Sequence, residues 1–120
     1  MAFITIYDAS ETDKVQLSEY LACTDHHWEY VDEPISETNL KPESEVISVF
    51  ISSPVSSQII QKLPRLKLIA CRSTGFNNID LQAAAEHDVT VVNVPTYGEY
   101  TVAEYTFGLI LTLSRKLNFA

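Results

Sequence analysis

The chain is 120 residues long, carries 16 acidic against 8 basic side chains for a formal charge of −8, and is 46% hydrophobic. That is the size of one domain with a real core, and the negative charge argues against nucleic acid or an anionic membrane as a partner. The charge is also uneven: residues 1–45 hold 11 acids and 2 bases, whereas residues 46–120 hold 5 acids and 6 bases, so Lys62, Arg65, Lys67 and Arg72 either favour an anionic ligand or form ordinary solvated surface.

Phe3–Tyr7 reads as a short strand ending at Asp8. Met1-Ala2 precedes it with neither a basic start nor a cleavage site, and no apolar run reaches the length of a membrane span, so the expectation is a soluble, cytoplasmic chain. Ser10-Glu11-Thr12-Asp13 has the form of a capping box and opens a helix with an apolar stripe of Val15, Leu17, Tyr20 and Leu21. Trp28–Val31 reads as a second strand. Residues 32–45, acidic and with two prolines, read as loop or edge structure. Val46–Ile51 is a third strand, almost continuously apolar, the pattern of a parallel strand covered on both faces. Ser52-Ser53-Pro54 turns into a short helix over Val55–Leu63, and the two serines either cap that helix or face a ligand cleft. Leu66–Cys71 is the fourth strand, with Cys71 as a small core residue; Cys23 and Cys71 have neither metal-ligand nor redox spacing. Asp80 caps a helix over Leu81–His87, and Val89–Val94 is the fifth strand. Strands alternating with short helices imply βαβ units and right-handed crossovers. The expected fold is α/β, a flavodoxin-like, doubly wound five-stranded parallel sheet in the order 2-1-3-4-5 with a long C-terminal helix.

That last helix starts at a second capping box, Thr101-Val102-Ala103-Glu104, with Thr101 as N-cap, and runs to about Leu117. Val102, Leu109, Leu113 and Leu117 form one apolar face; Phe107, Ile110 and Leu111, with Tyr105 beside them, form another. A helix apolar nearly all round is a buried one. One face is expected to pack on the chain's own sheet, and the other requires a following domain or a second copy. The expected division is one domain over 1–100 and an interdomain or dimerisation helix over 101–120, with a homodimer interface expected at Tyr105, Phe107, Leu109, Ile110 and Leu113.

Two loops carry the chemistry. Arg72-Ser73-Thr74-Gly75-Phe76-Asn77-Asn78-Ile79-Asp80 follows the fourth strand and puts backbone N–H groups at a strand's C-terminal edge, where α/β folds bind ligands. Consecutive amides in a turn form an anion nest, and Gly75 permits the backbone angles a nest needs; otherwise Gly75 only makes a tight turn. Asn93-Val94-Pro95-Thr96-Tyr97-Gly98-Glu99 follows the fifth strand. With these loops, the stretch Leu66–Leu117 resembles the D-isomer-specific 2-hydroxyacid dehydrogenases: the first loop resembles their substrate loop, the second their second pocket loop, and the Thr101 helix the one that crosses to their cofactor domain. The resemblance implies that backbone N–H groups of Thr74 and Gly75 hold the carboxylate of a small 2-oxo or 2-hydroxy acid and that Tyr97 lines the pocket. It also implies NAD(H) as cofactor of full-length relatives, with Thr101 facing it only in that context. Tyr100 and Tyr105 depart from the family, many of whose members have Asn and His there.

The family's reaction also needs an Arg to bind and polarise the 2-oxo acid and a His, oriented by a carboxylate, as general acid and base. Here the histidines are His26, His27 and His87. Adjacent residues of a strand point to opposite faces, so His26 and His27 read as surface, and His87 reads as the cap of a helix C-terminus. Gly75, Gly98 and Gly108 are the three glycines, and no G-x-G-x-x-G can be built from them. The sequence therefore offers no catalytic residue, no metal site and no cofactor of its own. It reads as the isolated substrate domain of an NAD-dependent D-2-hydroxyacid dehydrogenase, truncated before the cofactor domain and unable to transfer hydride alone. The alternative is a stand-alone dimeric module that binds a small carboxylate or serves as an interaction scaffold. A third reading, a flavodoxin-like binder of a phosphorylated ligand, meets an acidic segment, Asp8-Ala9-Ser10-Glu11-Thr12, where a phosphate loop belongs.

Overall fold

A computed structural model describes residues 1–117. Five parallel strands, β1 (Phe3–Tyr7), β2 (His27–Val31), β3 (Val46–Val49), β4 (Leu68–Cys71) and β5 (Thr90–Val92), lie in the order β2-β1-β3-β4-β5. The helices are α1 (Glu11–Leu21), α2 (Ser57–Gln61), α3 (Leu81–Glu86) and α4 (Glu99–Arg115). This is the expected doubly wound sheet, with its topological switch between β1 and β3. No helix among the described residues is long and apolar enough to cross a membrane.

Register fixes which residues meet. Thr5 pairs with Ile47, Ile47 with Ile69 and Ile69 with Val91, so period-two alternation places Tyr7, Val49 and Cys71 on the same face. That face is buried against Ile59, Ile60, Ala83 and Ala84 of α2 and α3 in one continuous core. On the other face Val46, Ser48, Leu68 and Ala70 are only half-buried and Val92 is exposed. The expected burial of β3 on both faces is thus not met. The strand also ends at Val49, and Ile51 sits exposed in a turn.

Two helix starts follow the sequence closely. Ser10 Oγ accepts the Asp13 N–H at 3.2 Å while the Asp13 carboxylate accepts the Ser10 N–H at 3.0 Å, a reciprocal capping box. These hydrogen bonds to Ser10 hold the Asp13 carboxyl below its ordinary pKa. Asp80 Oδ1 accepts the Ala83 N–H at 3.0 Å and caps α3. Of the apolar stripe expected on α1, Val15 and Tyr20 face water while Leu17 and Leu21 are half-buried, and none is fully buried. Polar contacts to β2 and its C-terminal end add to these: the Tyr30 hydroxyl donates to the Lys14 carbonyl at 3.1 Å, and Lys14 bridges Glu11 and Asp32.

The last helix departs most from expectation. Its N-cap is Gly98, not Thr101, and no side chain caps it. The first helical bond runs from the Val102 N–H to the Gly98 carbonyl at 2.9 Å. Thr101 lies inside the first turn, where its backbone is already helical, so the Thr101–Glu104 box does not form; Glu99 supplies the negative charge that a helix N-terminus favours. None of the helix's residues is buried, so neither apolar face packs on the sheet. The expectation that one face would do so is overturned. The radius of gyration, 18.0 Å, and the extents of 58 × 33 × 25 Å record the protrusion, since a compact domain of this length has a radius of about 14 Å.

Tyr7 is fully buried, its hydroxyl donates to the Asn39 carbonyl at 3.3 Å, and burial pushes its phenol up to about 12. A folded-state pKa raised above the unfolded value means that the folded state holds the proton more tightly. The stabilisation is therefore complete below the ordinary value of 10.0 and is lost as pH rises towards about 12. Urea unfolding across that window should show a fall in stability that Tyr7→Phe removes; parallel curves for the two proteins would contradict this.

Candidate functional site

The site is built at the C-terminal edge of the sheet. Arg72, one residue past β4, turns back under its neighbours: its guanidinium donates to Ser48 Oγ at 3.0 Å, to the Tyr7 carbonyl at 3.0 Å and to the Asp8 carbonyl at 2.8 Å. It thus ties together the ends of β1, β3 and β4. Burial lowers its pKa from the ordinary guanidinium value, against the opposing charges of Asp13 and Asp8. Asp8 has φ of 60°, a left-handed conformation that Asp tolerates better than most residues. Its carboxylate accepts hydroxyl hydrogen bonds from Ser52 and Ser53, and Ser53 Oγ in turn accepts the Ile35 N–H at 3.1 Å. Ser52 and Ser53 therefore organise the edge and do not cap α2, whose N-cap is Ser56.

Beyond Arg72 the chain crosses the edge as an open loop. Its carbonyls are engaged one after another: Ser73 O by the Val94 N–H at 3.1 Å, Thr74 O by Asn93 Nδ2 at 2.8 Å, Gly75 O by Ser73 Oγ at 2.6 Å, Phe76 O by the Ile79 N–H at 3.1 Å and Asn78 O by the Val55 N–H at 2.7 Å. The N–H groups of Thr74, Gly75, Phe76, Asn77 and Asn78 donate to no acceptor among the described residues. Asn78 Nδ2 anchors the far end on the Phe50 and Ser53 carbonyls at 3.0 and 2.8 Å. A loop with every carbonyl from Ser73 to Asn78 except that of Asn77 engaged and a run of donors left over presents positive dipoles to solvent, which is the chemistry of an anion site.

The structure separates the expected pocket residues across this loop. Gly75 lines a recess of about 310 Å³ with Ile51, Asn77 and Asn78. Thr74 and Tyr97 meet on the other side, in a recess of about 370 Å³ with Gly98, Glu99 and Val102. The first carries no charged lining residue; the second carries the Glu99 carboxylate. Thr101 is exposed within α4 and lines neither. No glycine of the chain has positive φ, so Gly75 is not placed by a demand for left-handed backbone, and a Cβ there would meet nothing within 4 Å.

The switch point between β1 and β3, where this topology commonly takes ligands, is acidic: Asp8, Asp13 and Asp32 line it with Ser10, Ser52 and Phe50. Of the four bases considered for an anion, Lys62 pairs with Glu37, Arg65 and Lys67 pair with Glu45, and Arg72 is held by backbone. His26 accepts the Ala2 N–H at 3.1 Å, His27 is exposed, and His87 Nδ1 lies 2.9 Å from the Ala83 carbonyl at the end of α3, the capping position expected of it. Sequence reading missed Asn78, Asn93 and Ser73 as loop anchors. The one available signal was their residue type, since Asn and Ser side chains bind nearby backbone.

The profile of the D-isomer specific 2-hydroxyacid dehydrogenase, catalytic domain, matches residues 4–117. A 2-hydroxyacid dehydrogenase homolog of Haemophilus influenzae is 35% identical over 98% of this chain and 37% of its own length. The D-lactate dehydrogenase of Escherichia coli is 31% identical over 98% of this chain and 37% of its own. Among solved structures, the Aquifex aeolicus D-lactate dehydrogenase complexed with NAD and lactic acid superposes with a TM-score of 0.80 at 30% identity, covering 98% of this chain and 38% of that one. The chain thus spans less than two fifths of these relatives.

Replacing Arg72 by Leu removes donors from two backbone carbonyls and a hydroxyl in a partly buried edge, and is expected to cost about 2–4 kcal/mol. Arg72→Lys should recover only part of this, because one ammonium cannot reproduce a planar fork of donors. The shift in urea midpoint reads both; an unchanged midpoint for the Leu variant would show that the ends of β1 and β3 are held by other means.

Proposed function

The chain belongs to the D-isomer-specific 2-hydroxyacid dehydrogenases, and we propose that residues 1–100 are the acid-binding part of such an enzyme, with 101–120 as its interdomain or dimerisation helix. The observation that carries this reading is the run of N–H groups from Thr74 through Asn78 at the end of β4 that meet no acceptor among the described residues. A small 2-oxo or 2-hydroxy acid bound there places its carboxylate on the N–H groups of Thr74 and Gly75, held by fixed peptide dipoles and not by a cation. Tyr97, across the second recess from Thr74, closes the pocket on the α4 side.

NAD(H) is the cofactor we propose for full-length members, on the strength of the relative solved with NAD and lactic acid. These 120 residues do not fit a dinucleotide. Their three glycines have no G-x-G-x-x-G spacing, and Asp8, Asp13 and Asp32 at the switch point oppose a pyrophosphate. The same acids count against a phosphorylated ligand. None of the three histidines lines the two recesses flanking the loop, so the residues bind and orient an acid and carry no hydride-transfer step. Thr101 meets a cofactor only where a further domain supplies one. Free Cys23 and Cys71 suit a reducing, cytoplasmic setting.

A second reading concerns α4. Tyr105, Phe107, Leu109, Ile110 and Leu113 are all exposed, from 46% for Leu109 to 77% for Leu113, and contiguous apolar surface of this kind marks an interface. We assign it to a homodimer; a scaffold role without acid binding is the alternative that the titration below distinguishes.

In ¹⁵N NMR titrations with pyruvate and glyoxylate, the amides of Thr74, Gly75 and their neighbours should shift, and the chain should not reduce NAD with D-lactate. Silent amides at high millimolar acid would sink the binding reading, and turnover would refute the division of labour. Sedimentation should give a dimer that Leu109→Glu with Leu113→Glu converts to monomer. A monomeric wild-type chain with α4 intact would overturn the interface.

A further inference from the structure

We propose that Ser73 and Asn93 are positioning residues that aim two N–H groups outward at the bound acid, that of Gly75 and, as a third donor beside the Thr74–Gly75 pair, that of Phe76, an inference that rests on the loop being a carboxylate cradle. In a trans peptide the carbonyl of one residue and the N–H of the next point in opposite directions, and none of the described peptide bonds is cis. Whatever holds a carbonyl in one direction therefore turns the following N–H the other way. Ser73 is 1% exposed and Cys71 3%. Ser73 Oγ donates to the Gly75 carbonyl at 2.6 Å, and Cys71 Sγ lies 3.4 Å from the same oxygen. With its carbonyl drawn into the domain, the Gly75–Phe76 peptide presents the Phe76 N–H to solvent. Asn93 Nδ2 donates to the Thr74 carbonyl at 2.8 Å, so the Gly75 N–H points away from the second loop and towards the uncharged recess lined by Ile51, Asn77 and Asn78.

The position between the two held peptides is a glycine, which has the freest backbone of any residue. Nothing in the fold demands it there, since its φ is not positive and a side chain at 75 would meet no neighbour. Its flanking peptides would turn freely if Ser73 and Asn93 did not fix one each. Ser73 acts from the core and Asn93 from the second loop, so both loops share in setting the donors.

The test uses residual dipolar couplings, which report N–H orientation, on the ¹⁵N-labelled chain without acid, followed by pyruvate titration. Ser73→Ala should change the coupling of Phe76 and Asn93→Ala that of Gly75, with the strand amides of β1, β3 and β4 unmoved, and each variant should bind pyruvate about tenfold more weakly, as expected for loss of one hydrogen bond to a charged group. Couplings at Gly75 and Phe76 that match wild type overturn the proposal, as does a pyruvate affinity unchanged despite moved couplings. Should Ser73→Ala fail to fold, Asn93→Ala, at a half-exposed position, carries the test. A wild-type chain that ignores pyruvate while the couplings move as stated refutes the functional reading and leaves the aiming of the N–H groups supported.

Discussion

One guanidinium sets the geometry on which the rest of the sheet edge depends. Past the C-terminal ends of parallel strands the ladder runs out of partners, and three strands ending together leave backbone carbonyls that need other donors. Arg72 meets the carbonyls of Tyr7 and Asp8 and the hydroxyl of Ser48 at once, which a planar fork of donors can do and an ammonium cannot. Because Arg72 is the first residue of the loop, the side chain that locks the ends of β1 and β3 also fixes where the loop leaves β4. Asp8, held in left-handed backbone, then gathers Ser52 and Ser53 from the next crossover. Loop and edge are one construction, with the polar groups of the edge satisfied internally and the surplus donors concentrated between Thr74 and Asn78.

This distribution gives the domain two electrostatic faces at one edge. The crevice at the β1–β3 switch carries three aspartates, while the loop after β4 presents peptide dipoles and no acid on its Gly75 side. Topology alone nominates the switch point as the ligand site; its three aspartates disfavour an anion there. The excess of acids in residues 1–45 includes the three aspartates of the switch-point crevice, so on the proposed reading it also steers a carboxylate away from that crevice.

The sequence made the fold legible wherever one local rule acted without competition. Ser10 with Asp13, Asp80 with Ala83, and the alternation of apolar strands with short helices each have a single low-energy solution, and the strand order followed. Where two rules competed, the local one misled. Thr101 and Glu104 form a capping pattern, yet the helix propagates back to Glu99 and Gly98 becomes its cap. Gly75 carries the signature of a left-handed turn but has no positive φ; its value lies in leaving peptides free to be set by others. The anchors Ser73, Asn78 and Asn93 were not legible because each acts on a carbonyl brought near by the sheet or by the loop's own turn, and a sequence lists residues without those distances. The burial of β3 on two faces was misread for a different reason: a pattern of apolar residues reports what a chain can cover, not what is present to cover it.

Helix α4 extends that last point into thermodynamics. A 17-residue helix is near the length at which isolated helices are marginal in water, and this one has Gly108 at its middle and β-branched Thr106 and Thr112 on either side, all of them poor helix formers. Left exposed, such a helix is only marginally stable, and a partner that covers it stabilises it. Covering and folding become a single event, in which the apolar surface of Phe107, Leu109 and Ile110 is removed from water as backbone freedom is lost. Such an event has the signature of coupled folding: a large negative heat-capacity change and an affinity lower than the buried area alone suggests. With such a partner, the helical content of α4 becomes a property of concentration as much as of sequence.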